Sequence, residues 1–197
     1  AVDTLQGLLK EHPHFSAAGQ VRLTMSECFT ALDRYDKAAD ILASVDAPGL
    51  QKEVLLRKAW NQFKAGNGDK AAKAFAAYAE EYPDDASVDA ALFNAGAAYI
   101  KAGNFSSARK LFGRLVERDL SPTDSAEAVY WLGFCLYREG HYSRAVTPLQ
   151  QLYAAPDALP AGKKDSLFFT YGPALRKTGK HAEALSVFKS LLETFPD

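Results

Sequence analysis

Two columns of small residues run through this sequence in step, and together they leave few architectures open. In the first, Ala1, Ala38, Ala71, Ala108, Ala145 and Ala184 are each followed four residues later by a large apolar residue: Leu5, Leu42, Phe75, Phe112, Leu149 and Phe188. Each pair is then followed by Pro13, Leu50, Pro83, Leu120, Pro156 or Pro196. In the second column Ser26, Ala59, Gly96, Gly133 and Gly172 recur at spacings of 33, 37, 37 and 39 residues. A unit of that length cannot bury its apolar face alone and must stack on its neighbours.

Within one unit the periodicity predicts a pair of helices. Leu92, Ala95, Gly96 and Tyr99 lie on one helical face, Ala102-Gly103-Asn104 breaks the run, and residues 105–117 supply a second one. Turns at 65–68, 139–141 and 178–180 repeat the break, with a glycine suited to a left-handed C-cap. Asp33 stands where the first unit should have that glycine. Small residues on facing helices predict close approach, Gly96 to Ala108 and Gly133 to Ala145. Asp85, Asp124 and Asp165 are placed at the starts of first helices, and the pairs Glu80-Glu81 and Asp84-Asp85 read as solvated helix ends. Pro148 and Pro173 fall inside helices and should kink them, and 159–164 makes the longest linker, so the fourth and fifth units are expected to meet at an altered angle.

The runs Val129-x2-Leu132-Gly133-x2-Leu136…Ala145-x3-Leu149, Leu92-x2-Ala95-Gly96-x2-Tyr99…Ala108-x3-Phe112 and Phe168-x2-Tyr171-Gly172-x2-Leu175…Ala184-x3-Phe188…Pro196 carry a recognisable pattern. It resembles the tetratricopeptide repeat. The unit at 52–88 departs from it at Ala59 and Gln62, and the unit at 19–51 at Ser26 and Asp33. The expected fold is all-α: a right-handed superhelical solenoid of antiparallel helix pairs, eleven helices in one array spanning 1–197. Residues 1–18 form the second helix of a truncated repeat, followed by repeats at 19–51, 52–88, 89–125, 126–164 and 165–197. The unit length and the stretch Ser125 to Gly133 are similar to bacterial cell-envelope repeat proteins, such as outer-membrane assembly lipoproteins and Tol–Pal-associated proteins, which implies a periplasmic or envelope setting. The leading helix lacks a partner, and no capping helix follows Leu191 and Leu192, so the intact protein is expected to continue at one or both ends.

Composition removes several functions. The formal charge of −1 gives no electrostatic basis for binding nucleic acid. No run of eighteen apolar residues suits a membrane span. Cys28 and Cys135 fall in matching columns three units apart, too far for a disulfide, and read as buried small hydrophobes. His12 and His14 lack a third ligand, and His141 and His181 occupy turns of different units. There is no phosphate-binding glycine loop, nucleophile elbow, zinc spacing or dinucleotide fingerprint, so no catalysis, metal or cofactor is expected.

What remains is recognition of protein. One stripe of each first helix should line the inside of the curve: Leu23, Glu27, Thr30; Leu56, Trp60, Phe63; Phe93, Ala97, Ile100; Tyr130, Phe134, Tyr137; Phe169, Pro173, Arg176. Its rings would either be buried between adjacent first helices or anchor apolar side chains of a partner, with Trp60, Phe63, Tyr130 and Tyr137 the most accessible. A basic column, Lys64, Lys101, Arg138 and Lys177 with Arg176, follows the same register. It would meet an acidic segment or a terminal carboxylate, although each cation also lies in a last turn, where the helix dipole contributes roughly 0.3–1 kcal/mol. Leu23 and Glu27 in the first unit exclude a carboxylate-clamp arrangement. The expected function is a non-catalytic scaffold that captures a peptide segment or helix in a concave groove, within a larger assembly. Self-association through uncapped ends, or service as an accessory region of a larger enzyme, are the alternatives.

Overall fold

A computed structural model of the protein describes residues 2–12 and 15–195. The described residues form eleven α-helices and no strand: α1 (Val2–Glu11), α2 (Ala18–Ala31), α3 (Tyr35–Ala43), α4 (Gln51–Lys64), α5 (Gly68–Glu81), α6 (Val88–Lys101), α7 (Phe105–Val116), α8 (Pro122–Arg138), α9 (Tyr142–Ala154), α10 (Ala161–Lys177) and α11 (His181–Thr194). They divide into two compact units, residues 1–102 and 103–197. The division passes between α6 and α7, inside the repeat read from the sequence as 89–125. His14 lies outside the described residues, as do Ala1, Pro13, Pro196 and Asp197.

The turns within the pairs close as the glycines dictate. Gly66, Gly103, Gly140 and Gly179 have φ between 77° and 81°. Asp33 takes the same left-handed conformation at φ 57°, and its carboxylate accepts a 2.5 Å hydrogen bond from the Tyr35 hydroxyl. Behind these residues, the amides of Arg34, Asn67, His141 and Lys180 reach back to the carbonyls of Phe29, Gln62, Leu136 and Leu175 at 2.8–3.0 Å. That i→i−5 closure is the Schellman motif, which satisfies carbonyls the helix leaves open. At the other end of a pair, Ser121 caps α8: its Oγ accepts from the Asp124 amide and donates to the Asp124 carboxylate at 2.6 Å, with Pro122 in the first turn.

Among the described residues both small columns are buried throughout. The close approach differs in its partner, however. A Cβ on Gly133 would lie 2.8 Å from Leu149, and one on Gly172 would lie 2.7 Å from Phe188. The glycine makes room for the large residue of the facing helix rather than for Ala145 or Ala184. The second unit includes a large apolar cluster drawn from α8, α9, α10 and α11, with Tyr130, Leu149, Leu167, Phe168, Tyr171 and Leu175 among its members. The first unit includes two smaller ones, Leu23, Leu42 and Val54 in one, and Met25, Phe29 and Ala38 in the other. Val2, Leu5 and Leu9 of α1 pack on the latter.

Two expectations change. Ala161 to Lys164 are helical, so the linker before α10 is 155–160 with a short 3₁₀ turn at Pro156–Ala158, and Asp165 sits one turn inside α10 rather than at its start. Pro148 and Pro173 lie inside α9 and α10, as read from the sequence. Asp85 is not a solvated helix end: its carboxylate accepts from Lys52 Nζ at 2.7 Å, the Tyr78 hydroxyl at 2.6 Å and the Ser87 amide at 2.8 Å. Those three donors, Lys52 foremost, hold its pKa far below the ordinary carboxylate range.

Candidate functional site

In the first unit the end of α4 presents the face that the sequence singled out. Trp60 is 41% exposed and stands edge-on to Phe63 and to the buried Phe75, with ring centroids 5.7 and 5.2 Å away. Phe75 fixes the indole from beneath, so its outer edge is held in place while still wet. Beside it lies an open cavity of about 400 Å³ lined by Glu27, Thr30, Ala31, Asp33, Arg57, Trp60 and Lys64. Arg57 pairs with Glu27 across the wall, joining α4 to α2, and burial lowers its pKa. Lys64 is exposed at the mouth, and Lys101 lies over Phe63 with Nζ 5.1 Å from the ring.

Behind this wall sits a buried amide. Asn61 donates to the Tyr35 carbonyl at 3.0 Å and accepts from the Thr30 hydroxyl at 3.1 Å, so one side chain ties α2, α3 and α4 together. Its partners lie 26 and 31 residues away. Neither Asn61 nor Arg57 was singled out from the sequence. The available signal was a polar residue in the column otherwise held by Cys28, Ala98, Cys135 and Ala174.

In the second unit the ring-bearing stripe grades from buried at Tyr130, through half-buried Phe134 and Tyr137, to exposed Phe169. Tyr130 is 3% exposed, which corrects the expectation that it stays accessible; burial raises its pKa, opposed by the Thr170 and Ser166 hydroxyls of α10. Phe134 packs against Phe105, Tyr130 and Trp131, and Arg138 covers Phe105 and Phe134 at 4.3 and 5.6 Å. Tyr137 packs on Tyr142, whose ring also carries Lys177 at 5.8 Å. Phe169 and Arg176 are exposed, and in the first unit Phe93 is half-buried. The basic column is thus partly spent on neighbouring rings, contacts worth roughly 0.5–1 kcal/mol each where exposed. A second open cavity, about 440 Å³, is lined by Val116, Val129, Leu132, Leu136, Arg144, Thr147, Pro148 and Gln151 and includes none of the expected site residues.

Among the described residues no group of three metal-ligating side chains occurs, and no helix is long and apolar enough to cross a membrane. Both cysteines are free. Cys135 is buried and its thiol is pushed up to about 12, whereas Cys28 is only half-buried.

Antiparallel helix pairs, closed by left-handed turns and packed large against small, define an α-solenoid. The family profiles are more specific: Tetratricopeptide repeat matches residues 93–160 and, in a second profile, residues 53–85 and 168–197. The chain is built of tetratricopeptide repeats. Solved structures share the fold. MamA matches with a TM-score of 0.73 at 17% identity, over 91% of this chain and 92% of its own. A tetratricopeptide repeat protein from Parabacteroides merdae matches with 0.67 at 15%, over 98% and 72%. BtubC (BKLC) from P. vanneervenii matches with 0.68 at 15%, over 98% and 85%. Comparison with the curated proteins finds no match. The narrower likeness to cell-envelope repeat proteins finds no support in these comparisons.

Proposed function

We propose that this protein is a non-catalytic interaction scaffold that captures an extended segment of a partner protein at the Trp60 cavity. The observation that carries the reading is the indole itself: a large apolar surface held rigid by Phe75 and Phe63, left open beside a cavity with cations on its rim. Rigid aromatic groups at a partly wet surface bind with little ordering cost, and such residues dominate interface energies. An apolar side chain of the partner covers Trp60. A carboxylate or backbone carbonyl next to it accepts from Lys64. Tyr137, Arg138 and Lys177 of the second unit offer a further ring-and-cation strip for the same kind of segment.

The test is affinity capture with the wild-type chain beside Trp60→Ala and Lys64→Glu, each checked for wild-type helicity. Prey recovered by the wild type and lost with both variants supports the reading. Equal recovery of every prey by the folded variants removes it.

A further inference from the structure

The Trp60 cavity holds its charges in two different states. Its lining comes from α2, the turn after α2, and α4. On α4, Arg57, Trp60 and Lys64 fall at i, i+3 and i+7, one stripe of the helix with the indole between two cations. Glu27 of α2 and Asp33 of the turn put two carboxylates on the other wall. Arg57 and Glu27 spend their charges on each other. Lys64 and Asp33 do not: both are exposed, and among the described residues neither makes an ion pair. Asp33 accepts from the Tyr35 hydroxyl through Oδ1, which leaves its second oxygen open. The other repeats set this pair apart. Gly66, Gly103, Gly140 and Gly179 hold the position of Asp33 and carry no side chain. Lys101, Arg138 and Lys177 hold the position of Lys64, and each lies over a ring, that of Phe63, Phe105 or Tyr142. Lys64 covers no ring among the described residues.

We infer that the segment captured at Trp60 carries a base on one side of its apolar residue and a carboxylate on the other, the base set against Asp33 and the carboxylate against Lys64. The inference rests on the Trp60 reading and adds a sign pattern to it. Side chains two residues apart on one face of an extended strand lie about 7 Å from each other, so both charges fall within about two residues of the apolar one. The pair also rejects. A segment with two acids brings like charge to Asp33, and one with two bases brings it to Lys64. Each exposed charge contact changes affinity by up to about fivefold, so the indole holds the segment and the charges choose it.

The probe is a display library of random heptapeptides, selected on the full 197-residue chain and on Trp60→Ala, Lys64→Glu and Asp33→Asn, each checked for wild-type helicity. Asparagine tolerates the left-handed turn, so the last variant removes the charge and keeps the backbone. Wild type should enrich one base and one acid around a central apolar residue. Lys64→Glu should enrich two bases, and Asp33→Asn should drop the base and keep the acid. Synthesised with a label and titrated, the peptides selected on wild type should bind each charge variant about two- to fivefold more weakly. Salt at about 1 M should erase the sign preference on the wild type itself and leave the dependence on Trp60. Peptides that need Trp60 but show no sign pattern, or keep the same pattern on Lys64→Glu and Asp33→Asn, overturn this inference and leave the Trp60 reading standing. Peptides that bind Trp60→Ala as well as wild type overturn both, as does a library that yields no saturable binder.

Discussion

At equivalent positions of two repeats, Asn61 in the first unit and Cys135 in the second, the chain uses opposite solutions. Asn61 is a buried amide with two partners on two other helices; Cys135 is a buried thiol that stays neutral and packs as an apolar group. The contrast extends outward. The first unit adds Arg57 to Glu27, and Lys52 and Tyr78 to Asp85, where the second has Tyr130, Trp131 and Phe134 in mutual contact and Leu149 pressed onto Gly133. Where the repeat pattern is kept, size complementarity joins the helices, with Arg109 to Glu139 and Tyr153 to Ser190 as the added polar ties. Where it lapses, at Ser26, Asp33, Ala59 and Gln62, directional polar bonds add to the packing, and the Trp60 cavity opens beside them.

Variants can break this contrast. The largest effect is expected from Leu149→Ala, which empties the space Gly133 makes and should cost about 2–5 kcal/mol in urea unfolding followed by Trp131 fluorescence. Asn61→Cys, which imports the second unit's solution into the first, removes the amide's bonds to the Tyr35 carbonyl and the Thr30 hydroxyl, the hydroxyl keeping the Ser26 carbonyl. It should cost about 1–3 kcal/mol, read by Trp60. A loss below about 0.5 kcal/mol would show that the amide adds nothing to packing.

Smaller effects sharpen it. Asp85 has a folded pKa below its unfolded one, so its contribution is complete above the ordinary carboxylate range, near about pH 4, and is lost as pH falls toward the lowered value. Wild type should therefore exceed Asp85→Asn in stability at pH 7, with the gap narrowing below about pH 4; a gap independent of pH would remove the charged network as its cause. Last, Asp33→Gly places the usual residue at φ 57° and should raise the melting temperature slightly, a gain of a few tenths to about 1 kcal/mol. The lost Tyr35 hydrogen bond sets the lower end of that range.

The helix count, the paired arrangement and the left-handed turns were legible in the sequence because each follows from local rules. Period 3.6 places small and large residues on one face, and a glycine, or here Asp33, admits positive φ. Burial along a face was less legible. Tyr130 and Phe169 share a column and residue class, yet one is sealed by α10 and the other is open, since what covers a side chain depends on the helix packed over it. The same reason hid Asn61 and Asp85. Their partners lie up to 33 residues away, and only the tertiary structure brings those groups within hydrogen-bond distance. Composition and periodicity determined that this chain stacks helix pairs; the packing of successive pairs decided which of its rings and charges remain for a partner.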